Sequence, residues 1–437
     1  MIIHRDASLP FQKYIDSDER HSNVLLVQGA RQVGKTMLCT QSIASLPKSR
    51  ASISLNLELR PDIKLLIDGC QQFSEFESLL KSKMGFTPGM GAVLFIDEAQ
   101  ESKSLGRFVR FMKESWGDTK CILTGSSMSR LFDKDTRIPV GRYETLTVRP
   151  FSFREFLRAK TLEDHFDSYL RQKEQMAPSV HHQLLEIFEE YMKVGGLPAA
   201  VMAYVEGKNF RSIQALIFAS QRDDFYRKER MKEHLFSDAM TEVAKQLGNP
   251  GMLSHIASNH RDATQIIESL KSWNLVHEVE QTGSLPTQSF HPKWYLYDLG
   301  ILSFLRMGAL PEISLLKSID PILRTPLGGL VENAVFLQLI SKEKDGDYLK
   351  ISGWKKNNKQ GIEVDFVTSG SGENSEQLVP IEVKASKKVT SNDLSNLKQY
   401  LKFSGLKRGV IFALESPRKI ELDEVEIEIL PIYLDPP

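Results

Sequence analysis

Residues Val24-Leu25-Leu26-Val27-Gln28-Gly29-Ala30-Arg31-Gln32-Val33-Gly34-Lys35-Thr36 decide how this chain is read. Four apolar residues in a row read as a buried strand. Gly29 through Thr36 then fit the pattern G-x-x-x-x-G-K-[ST], a glycine-rich turn between a strand and a helix. Gly29 and Gly34 let the backbone through Ala30, Arg31, Gln32 and Val33 curl, so that successive amides point inward at a β-phosphate. Lys35 adds a point charge near the β- and γ-phosphates, and the Thr36 hydroxyl is offered to Mg²⁺. The strand, loop and helix context sets aside a chance glycine-rich turn.

A second segment turns binding into chemistry. Val93-Leu94-Phe95-Ile96-Asp97-Glu98 is a buried strand ending in two carboxylates. Asp97 is expected in the Mg²⁺ shell and Glu98 is expected to polarise the attacking water, which makes this a hydrolase. After the next apolar run comes Thr124-Gly125-Ser126-Ser127, where Thr124 and Ser127 are candidates to touch the γ-phosphate or the water; a plain turn is the alternative. No guanine-reading Asn-Lys-x-Asp is evident, so the expected nucleotide is ATP.

Around these motifs, short apolar runs alternate with amphipathic stretches. Strands are expected at Val24-Val27, Ile53-Leu55, Val93-Ile96, Cys121-Leu123 and Leu146-Val148, and helical stretches at Phe73-Leu80 and Phe108-Met112. That alternation predicts an α/β fold with a parallel sheet covered on both faces. With 437 residues the chain is too long for one core. The expected layout is a P-loop core at 1–150, a helical lid at 151–235, a winged-helix domain at 236–310 and a further α/β domain at 311–437. The lid reading rests on helical spacing from Phe151 to Glu233, broken at Gly195-Gly196-Leu197-Pro198. The winged-helix reading rests on two short helices near Leu253-Ser258 and Ala263-Leu270, followed by paired strands near Leu275-Val279 and Trp294-Tyr297. Its second helix carries Arg261, Gln265 and Lys271 but also Asp262 and Glu268, so groove reading and protein packing both stay open.

Bulk properties exclude several classes. No apolar run approaches the roughly 20 residues of a membrane-spanning helix. The N-terminus lacks a secretory signal's basic and apolar stretches, and Cys39, Cys70 and Cys121 form no CxxC pair. A cytoplasmic protein without membrane partners is expected. With 56 basic and 56 acidic residues the net charge is zero, so nucleic-acid contact must come from local patches. Two exist, at Lys355-Lys356-Asn357-Asn358-Lys359 and at Lys384, Lys387 and Lys388. Either alone reads as a solvated loop.

The last block holds a second constellation. Glu332 sits in the greasy helix Leu330-Val331-Glu332-Asn333-Ala334-Val335-Phe336-Leu337, where a carboxylate needs a partner. Asp365 interrupts the apolar strand Ile362-Val367, and Glu363 shares its face by the period of two. Glu382 and Lys384 share a face of the next strand. Three acids and a lysine can hold one or two Mg²⁺ ions and orient a water for phosphodiester attack. Internal ion pairing with lysines is the competing reading.

The chain resembles AAA+-type ATPases of bacteria and archaea that carry a C-terminal domain of a formerly unknown-function family. The resemblance lies in Gly29 to Thr36, Leu94-Phe95-Ile96-Asp97-Glu98-Ala99-Gln100, Leu123-Thr124-Gly125-Ser126-Ser127, Gly141-Arg142, Pro150-Phe151-Ser152-Phe153-Arg154-Glu155-Phe156, Gly195-Gly196-Leu197-Pro198 and Tyr295-Leu296-Tyr297-Asp298-Leu299-Gly300. It implies self-assembly, and an arginine that reaches the γ-phosphate, with Arg142 the candidate and Arg130 and Arg149 its rivals. The order of Glu332, Asp365, Glu382 and Lys384 is similar to that of the PD-(D/E)XK nuclease superfamily. That similarity implies metal ligands at Glu332, Asp365 and Glu382, a catalytic Lys384, and DNA as the partner. The alternative is an ATP-driven regulatory or scaffolding protein whose C-terminal domain only binds partners.

Overall fold

The computed structural model describes residues 3–17, 23–89, 91–127, 131–132, 141–171, 176–285, 287–288, 290–306, 313, 321–342, 350–357, 361–369, 378–422 and 424–436, with the backbone alone at 233 and 321–326. The chain divides into two compact units, Met1–Arg149 with Ser272–Asn274 and Pro150–Lys271 with Leu275–Pro437.

The first unit begins with α1 (Ser8–Asp16), β1 (Val24–Gln28), α2 (Lys35–Ala44) and β2 (Ser52–Asn56). It continues through α3 (Pro61–Gly69), α4 (Phe73–Met84), β3 (Val93–Asp97) and the 3-10 turn Ala99–Glu101. α5 (Leu105–Ser115), β4 (Lys120–Gly125) and β5 (Tyr143–Thr147) complete it. All five strands run parallel, in the order β2-β3-β4-β1-β5. In β3 and β4 consecutive residues are buried throughout, the mark of a sheet covered on both faces, whereas the edge strands β2 and β5 are partly exposed. β5 starts three residues earlier than its apolar triplet predicts, because pairing to β1 extends it to Tyr143. Against the sheet, Phe76 stacks on Phe108 at 5.1 Å beside buried Trp116; each such ring contributes about 1.5–3 kcal/mol by leaving water.

Register, more than any single residue, builds the site. Gln28 lies across from Gly125, Ile96 from Leu123, and Asn56 from Asp97. The strands β1 to β4 therefore end at one level, and everything that follows them shares one edge.

The second unit opens with the helices α6 (Phe153–Ala159), α7 (Glu163–Arg171), α8 (Pro178–Val194), α9 (Pro198–Val205), α10 (Phe210–Glu229) and α11 (Glu233–Gln246). Ser152 and Glu155 cap α6 reciprocally, Ser152 Oγ accepting from Glu155 N at 3.2 Å and Glu155 Oε2 from Ser152 N at 2.9 Å. Next come α12 (Leu253–Ile256), α13 (His260–Ser272), β6 (Val276–Val279), β7 (Gln281–Gly283), β8 (Lys293–Leu296) and α14 (Leu299–Leu305). β6 and β8 form the expected antiparallel pair, Val276 opposite Leu296 and Val279 opposite Lys293. The break after α8 and the segment before α14 belong together. Asp298, buried at the start of α14, accepts from Gly196 N at 2.7 Å, and a side chain at Gly195 would lie 2.4 Å from the Gly300 nitrogen.

The remainder is α15 (Pro321–Ser341), β9 (Ile351–Lys355), β10 (Glu363–Ser369), β11 (Leu378–Lys384), α16 (Ser395–Ser404), β12 (Arg408–Ala413), β13 (Arg418–Leu422) and β14 (Val425–Pro431). One sheet takes the order β13-β14-β12-β11-β10-β9-β7. Its centre is the meander β9, β10, β11, after which α16 crosses over to the parallel β12. β7 extends this sheet beside β9, Gln281 opposite Gly353, so the segment between the two hairpin strands is built into the last domain. Lys355 closes β9 and pairs with Glu363 at 2.9 Å, where the sequence reads as a basic loop. Asn358 and Lys359 of that patch lie outside the described residues. No helix among the described residues is long and apolar enough to cross a membrane.

Candidate functional site

The Gly29–Thr36 turn leaves the end of β1 in a conformation that only its glycines permit. Gly29 has φ +143°, and a side chain there would sit 2.1 Å from the Val148 carbonyl oxygen. Gly34, at φ 95°, caps α2, so the turn runs directly into the N-terminus of that helix. Lys35 folds back over the turn and donates to Gly29 O at 2.9 Å and Ala30 O at 2.8 Å. It is buried, which lowers its pKa to about 8 even though Glu98 and Asp97 pull it upward. Arg31 reaches Glu58 at 3.4 Å, and Gln32 takes a left-handed backbone, φ 65°.

Asp97 is the hub of the edge. Its Oδ2 accepts from Thr36 Oγ1 at 3.0 Å and from Asn56 Nδ2 at 2.8 Å, and its Oδ1 accepts from Thr124 Oγ1. Asn56 is fixed in that orientation because its own carbonyl accepts from Glu58 N and Leu59 N, both at 3.0 Å. Glu98 follows with φ 53°, a strained left-handed conformation for a residue with a side chain, and Gln100 Nε2 donates to its Oε2 at 2.5 Å. Ser127 lies buried two residues past β4. The structure thus links Thr36, Asp97 and Thr124 by hydrogen bonds, with Lys35 bonded to the turn beside them. Asn56 and Arg5 are the residues sequence reading missed. Buried Arg5 holds the turn from below, donating to Val33 O at 2.8 Å and Arg149 O at 2.7 Å. The polar end of β2 beside an acidic strand end could have flagged Asn56; nothing local flags Arg5.

Arg142 falls elsewhere. It precedes β5, its carbonyl accepts from Val24 N at the start of β1, and its guanidinium pairs with Glu114 at 3.1 Å. The cradle lies beyond the opposite end of β1, roughly 16 Å along that five-residue strand. Arg149, at the far end of β5, shares the cradle's edge. Arg130 is outside the described residues.

The C-terminal carboxylates do gather, around a group the sequence did not announce. Lys293 of β8, only 1% exposed, reaches Glu332 Oε1 at 2.9 Å, Asp365 Oδ1 at 3.1 Å and Glu363 Oε1 at 3.6 Å. Burial pulls its pKa down, but Glu332 and Asp365 outweigh burial and hold it well above the ordinary lysine value. Tyr295 donates to Glu332 Oε1 at 2.6 Å. Asp365 sits where β10 bulges against β9, between Val364 and Val367, a device that re-aims side chains beside sites. Its Oδ2 accepts from Val383 N at 2.9 Å, and the register that sets Phe366 opposite Ile381 brings Asp365 across from Glu382. Glu382 is buried and takes Lys384 Nζ at 2.6 Å. Burial, then the charge of Asp365, raises its pKa to about 8. Among the described residues no three of His, Cys, Asp and Glu are grouped as metal ligands would be.

Residues 21–157 match the AAA domain family; residues 185–311 and 327–433 match two domains of unknown function, DUF8612 and DUF4143. An uncharacterized protein of Haemophilus influenzae is 24% identical over 426 residues, spanning 92% of each chain. Among solved structures, the Aeropyrum pernix ORC1 protein in complex with DNA is 14% identical, covers 72% of this chain and 95% of its own, and superposes with a TM-score of 0.26. The Thermotoga maritima RuvB Holliday junction branch migration motor is 12% identical, covers 63% and 90%, and scores 0.30. Both scores are too low to equate the folds. The family match, the glycine-rich cradle and the five-stranded parallel sheet agree on a P-loop domain of the AAA type over residues 21–157.

Proposed function

We propose that this chain hydrolyses ATP to change how its second unit engages nucleic acid, with DNA the expected partner. The observation that carries the reading is the linked set Thr36, Asp97, Asn56 and Thr124 at one sheet edge, with Lys35 bonded to the adjoining turn and Glu98 next in the chain. The turn's amides and Lys35 bind the phosphates of ATP. The Thr36 hydroxyl and the Asp97 carboxylate, 3.0 Å apart, fit a shared Mg²⁺, which would offset phosphate charge there. Thr124 and Asn56 hold Asp97 in place for that ion. Glu98, aimed by its left-handed backbone and held by Gln100, takes the proton of the attacking water, and Ser127 is available to the γ-phosphate. The proposed layout keeps residues 1–150 as the ATPase core, 151–235 as lid, 236–310 as winged helix and 311–437 as nuclease-like domain. The winged-helix reading is supported by the order α11, α12, α13, then the β6–β8 pair. The test is binding of labelled duplex DNA by the full chain with ATP, ADP or no nucleotide. An affinity that does not change with nucleotide rejects the coupling.

Because Arg142 lies at the far end of its own sheet, its proposed contact with a γ-phosphate requires a second copy of the chain. Arg142→Ala protein mixed with Lys35→Ala protein should then regain part of the lost hydrolysis, since mixed interfaces rebuild one complete site. Intact assembly by sedimentation with no regained hydrolysis would confine Arg142 to its ion pair with Glu114.

A second reading, a nuclease-like C-terminal domain, is favoured by the order α15, β9, β10, β11, α16, β12 and by Asp365 lying across from Glu382 beside Lys384. As arranged, however, the cluster does not fit the Mg²⁺ such a domain implies, because the Lys293 ammonium stands between Glu332 and Asp365.

A further inference from the structure

The cluster has four carboxylates, Glu332, Glu363, Asp365 and Glu382, and three ammonium groups, Lys293, Lys355 and Lys384. Lys355 belongs to Glu363 and Lys384 to Glu382, each pair close and partly open to water. Lys293 differs from both. It is fully buried, it hydrogen-bonds two carboxylates at once, and it arrives from outside the α15-to-β12 body, 39 residues before Glu332 and 72 before Asp365. A charge so buried is held only because its partners are equally buried.

We propose that Lys293 is a tethered cation occupying the seat of a divalent ion in this cluster, so that the lysine and a metal exclude each other and the seat opens only when β8 withdraws. The inference deepens the nuclease-like reading of the second unit. Two independent features point to a metal-capable seat beneath the lysine. Glu332 Oε1 and Asp365 Oδ1 converge on a single point, the Lys293 nitrogen, at 2.9 and 3.1 Å. Glu382 is 2% exposed, and its Oε2 has no hydrogen-bond partner among the described residues, leaving one buried acceptor uncommitted.

The tether is a discrete set of contacts. The Asn333 side chain pairs with the backbone of Leu296 on β8, accepting at 2.8 Å and donating at 3.0 Å. Tyr295 stacks on Phe336 at 4.5 Å and bonds Glu332. The Gly251 nitrogen donates to Pro292 O at 2.6 Å, anchoring the strand's entry. Lys293 can therefore leave its seat only with β8, and β8 is one strand of the hairpin that follows α13. A ligand that pulls on that hairpin would pull on the lysine.

The experiment titrates Mn²⁺ into full-length wild type and Lys293→Met by calorimetry, with melting temperature and plasmid nicking followed in parallel. Both proteins keep the P-loop, so its metal affinity cancels in the comparison. Lys293→Met should bind one more Mn²⁺ than wild type, and Mn²⁺ should raise its melting temperature while leaving that of wild type nearly unmoved. If stranded carboxylates unfold Lys293→Met, Mn²⁺ should restore its fold, and Lys293→Met/Glu332→Gln should fold without metal. Equal Mn²⁺ binding by wild type and Lys293→Met overturns the proposal. So does a single variant that Mn²⁺ cannot refold beside a double variant that folds and binds no more Mn²⁺ than wild type. Extra Mn²⁺ bound without nicking keeps the tethered cation and removes the nuclease reading. Nicking by wild type at the rate of Lys293→Met keeps the nuclease and removes the tether.

Discussion

Glu98→Gln protein should still bind ATP with near wild-type affinity while its turnover falls by about 10²- to 10⁴-fold, the usual loss when a positioned general base is removed. The separation follows from geometry. Among the described residues the Glu98 side chain is hydrogen-bonded to Gln100, at 2.5 Å, and not to the cradle or to the Thr36–Asp97 pair. The amide keeps the size and can keep that hydrogen bond, but it cannot accept a proton from water. The left-handed backbone at Glu98 is part of the same arrangement. A chain stores strain of this kind, of order 1–3 kcal/mol, where the resulting aim of the side chain matters. Calorimetric binding and phosphate release measured on one preparation decide the point. Hydrolysis that survives in Glu98→Gln would move the base elsewhere, and lost binding would mean that Glu98 shapes the cradle.

The first unit was largely legible because its information is local. A strand, a glycine turn and a helix start lie within a dozen residues, and the apolar run into Asp97-Glu98 needs no partner to be recognised. Parallel register then does the rest without further signals, since strands of like length ending together bring Thr36, Asp97 and Thr124 to one place. What stayed hidden acts over distance. Arg5 reaches Val33 across 28 residues and Arg149 across 144, and no period in the sequence encodes either contact.

The C-terminal cluster was half legible for the same reason. Strand parity paired Glu382 with Lys384, and a lone acid in a greasy helix flagged Glu332 as needing a partner. That partner came from β8, in a segment whose period of two reads only as one strand of a hairpin. Lys355 misled in the opposite direction. A run of lysines and asparagines reads as a solvated loop, yet cross-strand pairing with Glu363 draws its first member into β9. Charge density alone does not separate a basic patch from a lysine already spent on an internal carboxylate.

Lys35 carries the second large expectation, and its sign is fixed by burial. In the nucleotide-free protein, burial brings its pKa down to about 8, so above that pH the cradle increasingly holds a neutral amine. Bound triphosphate favours the ammonium form and raises the pKa again, so binding above about pH 8 takes up a proton. ATP affinity should therefore be flat below that point and weaken about tenfold for each further pH unit, until the pKa of the bound state is reached. Lys35→Ala removes both the charge and its pH dependence. Losing a charge-assisted hydrogen bond costs about 1.5–3 kcal/mol, so affinity at neutral pH should fall by about one to two orders of magnitude, with no further loss as the pH rises. Calorimetry in buffers of different ionisation enthalpy reads the proton directly: about one taken up per ATP by wild type at high pH, and none by Lys35→Ala. A wild-type affinity that stays level from about pH 7 to about pH 9.5 would show that Lys35 keeps its charge in the empty cradle. Glu98 and Asp97, both of which favour the ammonium, would then outweigh burial.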